Sequence, residues 1–149
     1  MAAPPATVEG FRRVIRWAQG ARRANRHHAF SVIPHGGKEP VGLVQLWRIE
    51  ADFSVAECGF GLTPETWGTG IFDDVADVLL AFAFDIVGVH RLEARAAVPN
   101  ARGIAALRKL GMQQEGHLRR CFRVNGQYMD HYLLALLAED WRRAAFAAA

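Results

Sequence analysis

The chain has 149 residues, of which 51% are hydrophobic and 22% are charged, and its formal net charge is +3. This length is enough for one domain with a hydrophobic core, and the composition is that of an ordinary globular protein. The longest apolar stretch, residues 71–89, contains four aspartates, which argues against a membrane-spanning helix. We therefore expect a single domain over residues 1–149, without a membrane partner.

The first predicted element is a helix that begins after Thr7, a residue type that caps helices, and extends to about Ala24. Its apolar side chains recur at helical spacing and are expected to share one face, with Val8, Phe11, Val14, Ile15, Ala18 and Ala21. Six arginines occur between residues 12 and 26, where Glu9 is the only nearby acid. We favour a solvated helix face over the alternative, which is contact with RNA, a ribosomal surface or an acidic protein.

Three strands are predicted next, over residues 28–33, 41–49 and 53–62, and the turn signal at residues 34–38 joins the first two as a hairpin. The third strand stops at Pro64, and a loop with Gly68 and Gly70 leads into a predicted helix over residues 71–87. The apolar residues of this helix are not confined to one face, so we expect it to be buried on more than one side.

The glycine loop predicts a ligand that carries phosphate. Glycines let the backbone approach an anion, and the free N–H groups of the first helical turn point at it. The segment is not the dinucleotide fingerprint, because position 73 is Asp, and it lacks the Gly-Lys-Ser/Thr of a Walker loop. The alternative is a purely structural role, in which the two glycines only allow the chain to turn from the third strand into the helix.

The second half of the chain continues the alternation of elements. Residues 90–97 predict a strand, Asn100 begins a helix that extends to Leu110, and residues 112–124 and 128–137 predict a hairpin around Asn125-Gly126. A short helix over residues 139–147 follows. The sum is a mixed α/β (α+β) domain, with three antiparallel strands followed by a helix that crosses to a further strand.

Four segments in this order resemble the GNAT superfamily of acyl-CoA N-acyltransferases. They are residues 56–70, residues 89–94, residues 100–112, and the set of Glu115-Gly116, Asn125-Gly126 and Asp130. The resemblance extends from about residue 8 to residue 141, and it is greatest to the RimJ/RimL branch, which acetylates the N-terminal amines of ribosomal proteins. It implies a GNAT-like fold, although the usual first strand of the family is missing because this chain starts almost at the first helix.

The resemblance also implies acetyl-CoA as the co-substrate and a primary amine, on a peptide N-terminus or a small molecule, as the acceptor. The glycine loop would hold the pyrophosphate, and the third and fourth strands would part at a bulge near residues 59–62 to receive the pantetheine arm. Asn100 would donate a hydrogen bond near that arm or the reacting centre. The expected coenzyme-binding residues are Phe60, Gly61, Leu62, Trp67, Gly68, Thr69, Gly70, Ile71, Phe72, Asn100 and Gly103.

The implied reaction needs a base, because an amine attacks a thioester only when it is neutral and its pKa is about 8 to 10.4. Glu57 is the candidate, with a pKa raised by desolvation, and the alternative is that it is an ordinary exposed strand residue. For the acid that protonates the leaving thiolate, Tyr128 is the catalytic candidate, and His131 is suggested by residue type alone. Water is the alternative, since the tyrosine that many GNAT enzymes use as acid falls at Leu107.

Two departures from the family leave a second function open. Asp73 and Asp74 favour the helix dipole but compete with a phosphate for the same positive end. Gly103 stands where the family often has a serine. Phe72, where the family usually has a small or hydroxylic residue, and the missing first strand add to these departures. The alternative function is therefore a non-catalytic GNAT-like module that binds an acyl-CoA or a partner protein.

The cysteines and histidines suggest no metal chemistry. No cluster has the spacing of metal ligands, so we expect no metal. Cys58 and Cys121 lie in apolar strand-like runs and are expected to be buried core thiols of a cytoplasmic protein. A partner chain, for example in a homodimer, is one way to cover the exposed edge of the sheet.

Overall fold

A computed structural model describes residue 5 and residues 7–147. The elements in chain order are α1 Val8–Arg23, β1 His27–Val32, β2 Gly42–Arg48, β3 Val55–Leu62, α2 Ile71–Ala81, β4 Arg91–Ala97, α3 Ala101–Lys109, β5 Gln113–Val124, β6 Gln127–Leu137 and α4 Ala138–Ala147. A short 3-10 turn, Pro64–Thr66, follows β3, and α2 continues as a π-helical turn, Phe82–Val87. The expected lack of a strand before α1 concerns residues 1–6, most of which lie outside the described residues.

The strands form one six-stranded sheet in the order β1-β2-β3-β4-β6-β5. All neighbours are antiparallel except β3 and β4, which are parallel because α2 carries the chain back along the sheet between them. The predicted mixed α/β fold is confirmed, and each strand boundary lies within two residues of its prediction. The largest strand shift is at β3, because Phe53 is buried in a left-handed turn, with φ of 65°, before the strand begins.

The hydrophobic core lies between one face of the sheet and α2, α3 and α4. Alternate strand residues such as Leu46, Cys58 and Leu92 point into it, and Phe84 of the π turn stacks on Trp141 of α4 at 5.2 Å between ring centroids. The helix at residues 71–87 contributes only one buried side, so the expectation of burial on more than one side was wrong. Val78 and Ile86 are exposed on its outer side, because no other element of the described chain covers that side.

The helix α1 begins where it was predicted, because Thr7 caps it by accepting a hydrogen bond at Oγ1 from the backbone N–H of Gly10. Its predicted apolar face is buried at one end. The helix contacts the sheet through Ala21 of that face and through Trp17, which packs on His27. The N-terminal part of the face is left at the surface, with Val8, Phe11, Val14 and Ile15. Within the described chain, no helix is both long and apolar enough to cross a membrane.

Candidate active site

A cleft opens where β3 and β4 separate. The two strands pair over four residues each, from Val55 with Arg91 to Cys58 with Ala94, and β3 then continues beside β2 alone. The predicted parting of the strands is present, but the predicted bulge is wrong, since β2 and β3 pair in unbroken register through residues 59–62. Between the strands lies a cavity of about 100 Å³ lined by Cys58, Gly59, Phe60, Phe72, Ala94, Arg95, Ala96, Asn100, Gly103 and Leu107.

The glycine loop sits at the N-terminus of α2, beside this cavity. Gly68 and Gly70 have φ of 76° and 90°, conformations that other residues adopt only under strain, and a Cβ at either position would meet nothing within 4 Å. Gly70 is the N-cap residue of α2, and no side chain caps the helix. The N–H groups of the first turn therefore have no side-chain acceptor, and open space lies above both glycines, as an anion site requires.

Two charged residues modify this helix end. Asp73 accepts a hydrogen bond at Oδ2 from Nζ of Lys109 at 2.7 Å, so its charge is neutralised and its competition with a phosphate is weakened. Arg102, in the first turn of α3, places its guanidinium carbon 3.7 Å from the centroid of the Trp67 ring. This positive charge beside the loop was missed from the sequence, because only the packing of α3 against the loop brings the two residues together.

Asn100 and Gly103 act as one unit at the start of α3. Asn100 accepts a hydrogen bond at Oδ1 from the backbone N–H of Gly103 at 3.0 Å and so caps the helix. A Cβ at position 103 would come within 2.9 Å of Asn100 Cγ and closer still to its amide nitrogen. The glycine therefore makes room for the asparagine, which explains why a serine is absent here. With its oxygen occupied, Asn100 has its NH₂ group left to donate at the cavity that it lines.

Glu57 lies beside the cleft, on the sheet face opposite the core. Its side chain is 25% exposed, and its Oε2 atom is 3.6 Å from Nη1 of Arg95, which lines the cavity. Desolvation by burial raises the pKa of Glu57, and the positive charge of Arg95 opposes this rise. On the next strand, Glu93 accepts a hydrogen bond from Nε of Arg91 at 2.9 Å, and Arg91 also holds Glu115 through both terminal nitrogens. The expected desolvated setting of Glu57 is thus present.

The two candidate acids occupy other places. Tyr128 is 60% exposed near the tip of the β5–β6 hairpin, where Arg123 lies over its ring, and it does not line the cavity. His131 contacts Cys121, with 3.3 Å between Nδ1 and Sγ. A different tyrosine is nearer to the cavity, because Tyr132 pairs across the sheet with Ala96, and residues directly opposite in an antiparallel pair share a face. The sequence gave no reason to prefer Tyr132 over Tyr128 as the acid, because the two residues are four apart and the alternation of side chains along β6 places them on the same face.

The two cysteines differ in environment. Cys58 is buried in the core as expected, and burial raises the pKa of its thiol to about 12, which makes it a poor nucleophile. The expectation that Cys121 is buried was wrong, because the β5–β6 register shifts between Leu118 and Phe122 and leaves this thiol exposed. Within the described chain, no group of three His, Cys, Asp or Glu side chains could hold a metal ion.

The structure thus gathers some of the predicted residues and leaves others at the rim. Phe60, Phe72, Asn100 and Gly103 line the cavity, and the rings of Phe60 and Phe72 are 5.1 Å apart. The remaining predicted coenzyme-binding residues do not line it; they occupy the end of β3, the glycine loop and the first residue of α2, with Gly61, Leu62, Trp67, Gly68, Thr69, Gly70 and Ile71. Thr69 turns its hydroxyl to the backbone of the loop, donating to Thr66 O at 2.7 Å.

Comparison with known proteins gives a consistent family. The model of the acetyltransferase (GNAT) domain matches residues 1–113. The probable N-acetyltransferase YjcK of Bacillus subtilis is 29% identical over 90% of this chain and 75% of its own length. A spermidine N(1)-acetyltransferase of Vibrio cholerae is 30% identical over 66% of this chain and 57% of its own length.

The solved structures agree with this family. A chimera of the spermidine N-acetyltransferase SpeG from Vibrio cholerae with hSSAT superposes with a TM-score of 0.81 at 25% identity, covering 95% of this chain and 87% of that one. The region matched in curated relatives is between 50% and 75% of their own length, so this chain is similar to a part of those proteins.

Proposed function

The chain belongs to the acetyltransferase (GNAT) domain family, and we propose that it is an acetyl-CoA-dependent N-acetyltransferase that acts on a primary amine. The observation that carries the proposal is the cavity between the parted strands β3 and β4, which ends beside the uncapped N-terminus of α2. We treat residues 1–149 as one GNAT-like domain.

The proposed grip on acetyl-CoA uses both ends of the cleft. The N–H groups of the first turn of α2 would bind the pyrophosphate, helped by the positive charge of Arg102 beside the loop. The pantetheine arm would enter between β3 and β4, where β3 past Cys58 no longer pairs with β4. Phe60, Gly61 and Leu62 would lie along the arm, and the amide of Asn100 would donate to it.

In the proposed reaction the amine nitrogen attacks the carbonyl carbon of the thioester, the carbon–sulfur bond breaks, and the thiolate leaves. Glu57 would take the proton from the attacking amine through water, since its raised pKa suits a base better than that of an exposed glutamate. Arg95 would keep Glu57 ionised at neutral pH. The proton for the leaving thiolate would come from Tyr132 or water, and Tyr128 becomes the less favoured acid because of its place in the hairpin.

The acceptor is proposed only by class. A small polyamine is the first candidate, because the Vibrio cholerae relative is named a spermidine N(1)-acetyltransferase. A peptide N-terminus, as in the RimJ/RimL branch, is the competing candidate. Both acceptors carry a primary amine from which Glu57 would remove a proton.

A second function, binding without turnover, is favoured by one observation. The cavity of about 100 Å³ is small, and the ring of Phe72 lies in its wall against Phe60. If these rings do not move, a coenzyme could bind to the loop while its thioester stays out of the cleft. The chain would then be a non-catalytic acyl-CoA-binding or protein-interaction module.

A thermal-shift titration with acetyl-CoA, CoA and ATP tests binding, and release of free thiol in the presence of spermidine or a peptide amine tests turnover. A ligand of the folded state stabilises it by about 2.7 kcal/mol at a hundred times its Kd. We expect stabilisation by acetyl-CoA and CoA but not ATP, followed by thiol release with an amine. Binding without thiol release in both the wild type and Phe72→Ala would favour the non-catalytic module. No binding at millimolar ligand would contradict the acetyltransferase and leave a protein-interaction module as the function.

A further inference from the structure

An apolar stripe on α1 has no cover in the described chain. Val8, Phe11, Val14 and Ile15 follow one another along one side of the helix, with exposed fractions of 71%, 50%, 47% and 54%. The side-chain contacts of α1 with the sheet occur in its C-terminal half, where Trp17 packs on His27 and Arg22 lies over the ring of Phe30. Contiguous exposed apolar residues of this kind mark interaction surfaces. We refer to these four residues as the α1 stripe.

A groove of matching character lies on the other face of the sheet, between β1 and α2. It has a volume of about 370 Å³, and eight of its ten lining residues are apolar, among them Phe30, Ile33, Val75 and Val78. Ile33 and Val78 are 53% and 72% exposed at its rim. An amphipathic helix that lays its apolar side into an apolar groove is a common mode of protein recognition. We refer to this surface as the α2 groove.

The two surfaces carry opposite charges. The α1 segment bears Arg12, Arg13, Arg16, Arg22, Arg23 and Arg26 against a single acid, Glu9. The helix along the groove, residues 71–87, bears four aspartates and no basic residue, and only Asp73 forms an ion pair within the described chain. Asp74 lines the groove itself, and Asp77 is exposed on the same helix. A basic apolar helix and an acidic apolar groove are therefore complementary in both respects.

The α1 stripe cannot fill the groove of its own chain. Trp17 packs on His27, while the groove is lined by Phe30, and these two β1 residues point to opposite faces of the sheet. Only three residues, 24–26, connect α1 to β1. Arg22 does reach around the β1 edge, where its guanidinium carbon lies 5.6 Å from the centroid of the Phe30 ring. The C-terminal end of α1 therefore reaches the rim of the groove, whereas the stripe lies on the other side of the β1 edge.

We infer that a second copy of this chain covers both surfaces, with the α1 stripe of each copy lying in the α2 groove of the other. Every copy presents both complementary parts, so a two-fold arrangement forms the same contact twice and leaves neither part exposed. The edge of β1 is shielded in the same dimer, which removes the unpaired strand edge as a site of aggregation.

Charge reversal and mixing test this dimer by sedimentation velocity. The wild type is expected to move from a mass of 16.5 kDa to twice that mass as its concentration rises. One variant changes the groove helix, Asp74→Arg with Asp77→Arg, and another changes α1, Arg12→Glu with Arg22→Glu. In each variant the substituted side chains would face like charges across the contact, so it is expected to stay monomeric at concentrations where the wild type is dimeric. An equimolar mixture restores opposite charges at these positions and is expected to dimerise more readily than either variant alone.

A matched control reverses two exposed arginines of the β5–β6 hairpin, Arg119→Glu with Arg123→Glu, and is expected to dimerise like the wild type. Circular dichroism and the thermal midpoint establish that each variant is folded. A wild type that stays monomeric at every concentration would overturn the inference, as would single variants that dimerise normally or a mixture that stays monomeric.

Discussion

The helices α1 and α3 have the same sequence features but different places in the molecule. Each begins at a capping side chain, Thr7 or Asn100, and each carries apolar residues at helical spacing. Ile104 and Leu107 of α3 are buried in the core, whereas the α1 stripe is about half exposed or more. Periodicity therefore indicates which side chains share a face, but it does not indicate what covers that face.

The two helices also lie on opposite sides of the sheet, and the two sides have different parts in the proposed reaction. The α3 side of the sheet contains the cavity, Asn100 and the glycine loop, where the coenzyme would bind. The opposite side, where α1 packs, contains Glu57 and the buried ring of His27. Substitutions on the α3 side should therefore affect coenzyme binding and the stability of the core. Substitutions on the α1 side should affect activation of the acceptor amine and association of the chain.

The largest contrast is expected in stability. Leu107→Ala leaves a hole in the core and should lower the free energy of unfolding by about 2–5 kcal/mol. Ile15→Ala removes an exposed side chain and should change it by less than about 0.5 kcal/mol. Urea denaturation at concentrations below self-association measures both. Equal losses would mean that the stripe is already buried in the single chain.

The next contrast is in rate. Glu57→Gln removes the proposed base and should lower kcat at least about 100-fold, the usual loss when a general base is removed. The Kd for acetyl-CoA should be unchanged, because Glu57 itself does not line the cavity. Steady-state kinetics and a thermal-shift titration measure the two quantities, with the exposed Glu50→Gln as the control. A rate close to that of the wild type would remove Glu57 from the mechanism.

A smaller effect should distinguish the two tyrosines of β6. Tyr132→Phe is expected to reduce kcat about tenfold if its hydroxyl protonates the leaving thiolate, which corresponds to about 1.4 kcal/mol in the barrier. Tyr128→Phe is the matched control and should have little effect, because this side chain lies in the exposed hairpin. The opposite ranking would restore Tyr128 as the acid, and no effect from either change would leave water in that role.

The smallest expected effect concerns His27, which links α1 to the sheet. Its ring is 2% exposed between Trp17 and Trp47, its Nε2 atom contacts Gln45 Oε1 at 3.0 Å, and its Nδ1 atom has no partner within the described chain. Burial lowers the pKa of His27, so its charged form is disfavoured in the folded state. As the pH falls below about 6.5, the unfolded chain takes up the proton first and the fold loses stability.

Thermal midpoints between pH 7.5 and 5 measure this loss. His27→Gln should reduce the acid sensitivity, while His35→Gln in the exposed β1–β2 turn should retain it. If His27→Gln left the slope of the midpoint against pH unchanged, the ring would have to be protonated or solvated in the folded state.

Much of the fold was predictable because local patterns agree with the final structure. The Asn125-Gly126 turn, the alternation of β3 and the two left-handed glycines each specify a local conformation. The insertion of β6 between β4 and β5 was not predictable, since alternation does not show which strands pair. Side chains that come together only through packing, such as Arg102 over Trp67 or Tyr132 beside Ala96, were missed for the same reason.

The contact between Asn100 and Gly103 also constrains how this chain can change. A side chain at position 103 is excluded only while Asn100 keeps its capping conformation, with Cγ 2.9 Å from the place of a Cβ. Gly103→Ala should therefore be costly alone but tolerated together with Asn100→Ala, so the two substitutions are epistatic. A descendant of this chain could acquire a serine at position 103 only after its asparagine had turned or been replaced, which fixes the order of mutations along that path.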